Sequence, residues 1–221
     1  MIGIDQSASI VRQASRALGR SGLVHAYGHC STRLDDLSFL VSPSKPLGMV
    51  KDSDACHVVR LDQPLPTDVL GEVRIHREIY RRRPDVKGVV RCMPPNVMAI
   101  AAHGATLKPR HGFGAYFYPA PAMWDDPQLL RSDDSAAALA DMLGAGRGIL
   151  MRGNGAVTAG SSLQEAVVLA WYLEDMARVE IAGCTAGLSL APTLTEDECA
   201  VRATWTGGIV ERMWAWLIDE S

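Results

Sequence analysis

Apolar positions along the chain recur with two different periods. Between residues 7 and 19 the spacing is helical: Ile10, Ala14, Ala17 and Leu18 form one stripe, Ser7 caps it, and Gly19 and Gly22 end it. Residues 23–42 read as short strands broken by tight turns. Phe39-Leu40-Val41 is an apolar strand that stops at Ser42-Pro43-Ser44, and residues 56–61 are a further strand candidate. A helix is predicted over 69–83, with Val73, Ile75, Ile79 and Tyr80 as its apolar contacts and Pro84 as its stop. Residues 86–91 read as a buried strand ended by Pro94-Pro95, and 96–103 as a short helix. Residues 105–124, rich in Gly, Pro and aromatic side chains, read as loop and strand. A helix over 133–143 starts near Ser132 and Asp133 and ends at Gly144. Strands over 148–151 and 156–158 flank the turn Arg152-Gly153-Asn154-Gly155. Ser162-Leu163-Gln164-Glu165 fits a capping box that opens a long helix, with Ala166, Ala170, Leu173 and Ala177 on its buried face. The tail from about residue 195 reads as helical and ends in Met213-Trp214-Ala215-Trp216-Leu217, which packs either on its own core or on a neighbouring subunit. Short hairpin turns within this order predict a largely antiparallel sheet with helices on both faces.

Length changes this picture little: 221 residues suit one domain, 1–221, with a helical tail. Hydrophobic residues at 48% and charged residues at 21% exclude disorder as the main state. A net charge of −3 argues against a protein that binds nucleic acid by neutralising phosphates. No apolar run approaches the roughly 20 residues that span a bilayer, so no membrane partner is expected. The start, Met1-Ile2-Gly3-Ile4-Asp5-Gln6, lacks the basic and apolar regions of an export signal. The 5 cysteines have no CxxC spacing and fit a reducing cytoplasm better than a disulfide framework or structural zinc. Arg81-Arg82-Arg83 reads either as an anion site or as cations complementing the negative end of the predicted helix.

Four segments in order carry a family resemblance. They are Gly28-His29-Cys30-Ser31-Thr32-Arg33, Phe39-Leu40-Val41-Ser42-Pro43-Ser44, Gly71-Glu72-Val73-Arg74-Ile75-His76 continuing through Ile79 to Val86, and Leu150-Met151-Arg152-Gly153-Asn154-Gly155-Ala156-Val157. Across roughly residues 8–185 they resemble the class II aldolase/adducin family. The Gly-His-x-Ser and Met-Arg-Gly-x-Gly variants are most similar to its aromatic-acid decarboxylase branch, with sugar-phosphate aldolases more distant. The resemblance implies a three-layer α/β/α sandwich with a central, mainly antiparallel sheet, a homotetramer with active sites between subunits, and a divalent metal held by three histidines. Such a metal stabilises an enolate-like intermediate while a helix carboxylate moves a proton.

This chain departs from the family at all three ligand positions. Arg91-Cys92-Met93-Pro94 stands where His-x-His-Pro is expected, and Gly153-Asn154-Gly155 where Gly-His-Gly is expected. Arginine stays charged and is not a ligand, Met is too soft for zinc or manganese, and Asn offers only its carbonyl oxygen. The expectation is therefore no metal and no other cofactor.

Glu72 matches the family's acid/base carboxylate, and the resemblance brings Arg91 close to it. Arg91 either binds or stabilises negative charge in the metal's stead, or forms a structural ion pair in a dead site. His29, Ser31, Ser42 and Ser44 match the family's anion-binding loops, Lys45 adds a positive charge beside them, and Asn154 completes the substrate-binding set. His111 falls where the decarboxylase branch often has a histidine, as a proton shuttle or a surface residue. His76 either orients Glu72 four residues before it or is a buried structural histidine. Cys92 points away from Arg91 on an alternating strand. Tyr116, Tyr118 and Trp124 form either an aromatic wall or core. The leading expectation is a metal-independent, lyase-type enzyme for a small anionic, cyclic or aromatic carboxylate, with Glu72, Arg91 and His111 as its catalytic residues. Two alternatives stay open: an adducin-like binding or assembly protein, and a decarboxylase or oxygenase with a metal site rebuilt from Glu72, His111 and Asn154.

Overall fold

The structure, a computed structural model, describes residues 3–188 and 191–219. Met1 and Ile2, where the export-signal reading begins, lie outside the described residues. Helix α1 (Ile4–Arg20) leads into strands β1 (His29–Arg33), β2 (Ser38–Val41) and β3 (His57–Arg60). Helix α2 (Arg74–Arg82), strand β4 (Gly88–Cys92), helix α3 (Pro95–Ala102) and strand β5 (Ala122–Trp124) follow. Helix α4 (Asp133–Leu143), the hairpin β6 (Gly148–Met151) and β7 (Gly155–Gly160), and helices α5 (Leu163–Thr185), α6 (Glu196–Arg202) and α7 (Ile209–Ile218) complete the order.

The strands form one 7-stranded sheet in the order β3-β2-β1-β4-β7-β6-β5. Every pairing is antiparallel except β5 with β6. The mainly antiparallel expectation holds, and the parallel edge makes the sheet mixed. Strand alternation sends side chains to two separate cores. Cys30, Leu40, Val90, Cys92 and Ala156 pack under α1, α3, α5 and α7. Phe39, Val89, Ile149, Met151 and Val157 pack under α2 and α4. Three layers result, with helices on both faces. Because Val89 faces α2, Arg91, two residues on, faces it as well.

Local chemistry explains where the predicted boundaries move. The helix expected over 69–83 begins only at Arg74, and a 3-10 turn, Gly71–Val73, precedes it. The Ser44 hydroxyl takes the Asp68 carbonyl at 2.8 Å, an acceptor that a longer helix would use itself. At α5, Ser162 Oγ accepts from Glu165 N–H at 3.0 Å, but the Glu165 carboxylate accepts from Ser161 instead of closing the box. A complete capping box stands at α6, where Thr195 and Glu198 bond reciprocally. The tryptophan-bearing α7 packs on the chain's own α1 and α5, although Trp216 stays 60% exposed, edge-on to Trp171. Arg81 and Arg82 pair with Glu78, and Arg83 with Asp85, as cations around a helix end. No helix among the described residues is long and apolar enough to cross a membrane.

One contact fixes the central strand against the long helix. A Cβ added to Gly88 would collide with the backbone of Ser162 and Leu163, whereas one added to Gly183, inside α5, meets nothing. Gly88→Ala is expected to lower stability by about 3 kcal/mol, and Gly183→Ala to raise it by about 0.5–1 kcal/mol. Urea midpoints at unchanged denaturant slope check both.

Candidate active site

Arg91 lies near the C-terminal end of β4, and only 2% of it is exposed. A charge so buried needs partners. The first comes from the turn before α2: Glu72 Oε2 sits 3.2 Å from Arg91 Nη2. The second comes from the β6–β7 hairpin. Gly153 and Gly155 take positive φ there, and a Cβ on Gly155 would strike the Cys92 carbonyl, so the hairpin tip lies directly over the end of β4. Asn154, between the two glycines, accepts from Arg91 Nη2 at 2.5 Å through Oδ1 and donates from Nδ2 to Glu72 Oε1 at 3.0 Å. Glu72 Oε1 also accepts from Leu130 N–H at 3.3 Å. The result is a closed triangle of cation, carboxylate and amide. Arg91 Nε takes no part in it and has no hydrogen-bond partner among the described residues.

A second set of buried polar groups adjoins the triangle. His29 of β1 is directly opposite Arg91 in the strand register. Its Nδ1 is 2.8 Å from His76 Nε2, and His76 Nδ1 is 2.6 Å from Ser31 Oγ. Ser31 Oγ is 2.9 Å from the Tyr80 hydroxyl, which donates to the Ser31 carbonyl at 3.0 Å. Burial, reinforced by Arg91, lowers His76 to about 3. Burial first, then His76 and Arg91, hold His29 well below the ordinary histidine value. Both rings are neutral at pH 7. His76 therefore serves His29 and Ser31 and does not orient Glu72, which precedes the helix.

A cavity of about 670 Å³ opens above these groups. His29, Ser44, Lys45, Glu72, Arg91 and Asn154 line it, joined by Tyr27, Met93, Leu129 and Arg131. Lys45 is tied to Asp54 at 2.8 Å. Ser42 lies apart from the cavity, where its Oγ accepts from Cys30 N–H. Ser31 is one layer below, in the chain of hydrogen bonds. His111 is not brought to this cavity. It is 3.5 Å from Asp175 of α5, in the helical layer on the other face of the sheet, because its loop runs along that helix. Glu72, His111 and Asn154 therefore do not converge within the chain. Tyr116 stacks on Trp205 in the α5 layer, and neither Tyr118 nor Trp124 lines the cavity, whose aromatic side chain is Tyr27. Cys92 faces the α5 core, and burial raises its thiol to about 12, which removes it as a nucleophile.

The donor set does not suit a divalent metal. At the family's ligand positions stand a fixed cation, a thioether, and an amide oxygen already bonded to that cation. No group of three or more His, Cys, Asp or Glu among the described residues can hold a metal ion. The site offers instead a buried positive charge beside a carboxylate and a neutral imidazole.

Three further groups at the site lay outside the sequence expectations: Arg131, Tyr27 and Tyr80. Arg131 sits on a loop with no motif around it, and Tyr27 immediately precedes the Gly28–Arg33 segment without belonging to it. Tyr80 carried a signal, since it falls four residues after His76 on one helical face.

Residues 10–181 match the family described as Class II Aldolase and Adducin N-terminal domain. The 3,4-dihydroxyphthalate decarboxylase of Arthrobacter keyseri is 29% identical over 80% of this chain and 78% of its own. The enzyme of that name from Rhodococcus jostii is 27% identical over 85% and 84%. The structure of L-fuculose 1-phosphate aldolase from Glaciozyma antarctica superposes with a TM-score of 0.81 at 19% identity, covering 97% of this chain and 88% of that one, a likeness of fold. Since the family match spans most of its length and the fold agrees, the chain belongs to the class II aldolase and adducin N-terminal domain family.

Proposed function

We propose that this protein is a metal-independent lyase of the decarboxylase type, acting on a small aromatic or cyclic carboxylate. The observation that carries the reading is the buried Arg91–Glu72–Asn154 triangle on the wall of the 670 Å³ cavity. The decarboxylase names of its relatives support the reaction type.

The chemistry asks for two things. A proton must reach the carbon that bears the carboxylate, and negative charge on an oxygen conjugated with that carbon must be stabilised. Glu72, a carboxylate in the resting triangle, takes up a proton from solvent and passes it to that carbon. As the carbon–carboxylate bond breaks, carbon dioxide leaves and the electron pair stays with the ring. The proton from Glu72 takes the place of the lost group, so one proton is consumed and nothing is oxidised or reduced. Arg91 takes the role that a metal plays elsewhere in the family, as a fixed positive charge in a water-poor site. Asn154 holds the guanidinium and the carboxylate at their separation. Arg131, which has no partner among the described residues, adds a second cation for the anionic substrate at the cavity rim. The assignment uses residues of one chain, within the homo-oligomer that the family resemblance implies.

The test uses 3,4-dihydroxyphthalate and simpler hydroxybenzoates as first substrates. Glu72→Gln is expected to fold, with a lowered urea midpoint because Arg91 loses its carboxylate, and to lose about 10²–10⁴ in kcat. Full turnover by that variant would remove Glu72 from the mechanism. Exhaustive dialysis against EDTA is expected to leave wild-type turnover unchanged. Loss on chelation, with recovery on adding a divalent metal, would replace the arginine reading with a metal-dependent one.

A further inference from the structure

The buried chain behind His29 can run in one of two directions, and one carbonyl favours the first. Tyr80 has one hydroxyl proton, and its Oη lies 3.0 Å from the Ser31 carbonyl oxygen, which can only accept. Donation to that carbonyl makes Ser31 Oγ the donor in its 2.9 Å contact with Tyr80 Oη, whereas donation to Ser31 Oγ would reverse the chain and put the His29 proton on Nε2. With its own proton given to Tyr80, Ser31 Oγ accepts from His76 Nδ1–H at 2.6 Å. A neutral imidazole has one N–H. His76 Nε2 is therefore an acceptor, and His29 Nδ1–H donates to it at 2.8 Å. The lone pair of His29 is left on Nε2, a buried atom with no hydrogen-bond partner among the described residues. Opposite it in the strand register, Arg91 Nε–H is a buried donor with no hydrogen-bond partner among the described residues. Two unpaired buried polar atoms, one acceptor and one donor, on facing residues of one cavity wall call for an occupant. A hydroxyl group, which donates and accepts at once, satisfies both.

We propose that His29, locked in its Nδ1–H form by the Tyr80–Ser31–His76 chain, accepts a hydrogen bond from a substrate hydroxyl and selects hydroxy acids for this site. The inference rests on the reading of the cavity as a site for a small carboxylate. It changes the role expected for His29: a neutral ring presenting a lone pair repels a carboxylate oxygen, so Arg91 holds the anion and His29 selects the hydroxyl. Burial, which keeps both rings neutral, supports this arrangement. Ser31, His76 and Tyr80 are positioning residues, since their effect passes through His29.

Two measurements test it. In the full-length protein labelled with ¹⁵N-histidine, the His29 signals, identified by their loss in His29→Gln, are expected to show a protonated Nδ1 and an unprotonated Nε2. Tyr80→Phe is expected to mix the two tautomers, because Ser31 is then free to donate in either direction. A protonated Nε2 or an imidazolium at pH 7 in the wild type would overturn the proposal. Calorimetric titration with 2-, 3- and 4-hydroxybenzoate and their methyl ethers supplies the second measurement. The best hydroxy acid is expected to bind about a hundredfold tighter than its own methyl ether, and His29→Phe to bring that ratio near one. Equal binding of the ether, or no binding by any hydroxybenzoate, would count against the proposal. Failure of the lyase reading looks different: hydroxy acids would bind with this discrimination and yet not be turned over.

Discussion

A guanidinium with almost no access to water is the constraint around which this site is built. Arg91 cannot shed its charge, so the fold must surround it with groups that complement that charge. Three parts of the chain meet that demand. The turn before α2 brings a carboxylate, the β6–β7 hairpin brings an amide, and β1 brings a neutral ring to the facing register position. The hairpin can reach only because glycine stands where any side chain would strike β4.

The same charge sets the character of its neighbours. A positive group beside two buried imidazoles opposes their protonation, and burial acts in the same direction. The cavity thus presents one permanent cation, one carboxylate and one neutral acceptor, a combination that differs from a metal centre in its directionality. A metal ion attracts electron pairs from any side. A guanidinium offers hydrogen bonds in one plane, and here two of its contacts, to Glu72 and Asn154, share a single nitrogen.

Much of the fold was legible in the chain. Periodicity located every long helix, and the short glycine-rich turn between two apolar runs marked the β6–β7 hairpin. The misplaced start of α2 shows the limit: the Asp68 carbonyl is taken by Ser44, a residue 24 positions earlier, and no local pattern carries that. The site divides in the same way. Glu72, Arg91 and Asn154 were legible because they occupy motif positions. Ser42 and His111 matched motifs too, yet Ser42 Oγ accepts from the Cys30 N–H of neighbouring β1 and His111 joins the α5 layer. Sequence order could not tell which face of the sheet a loop residue would reach. Arg131 and Tyr27, on loops without periodicity, left no trace. The direction of the hydrogen bonds behind His29 required coordinates, since it depends on one carbonyl lying within reach of one phenol.

The shared nitrogen of Arg91 has a consequence for how such a site can change over generations. Restoring histidine at position 154 alone would remove the amide oxygen that accepts from Arg91 and leave an uncompensated donor in the interior. Restoring histidine at position 91 alone would leave Glu72 without its cation and supply one ligand where a metal needs three or more. Each single replacement is worse than either end state, because residues that touch do not contribute independently. On the proposed reading, the arginine site and a metal site are separate solutions on one scaffold, with no easy single step between them.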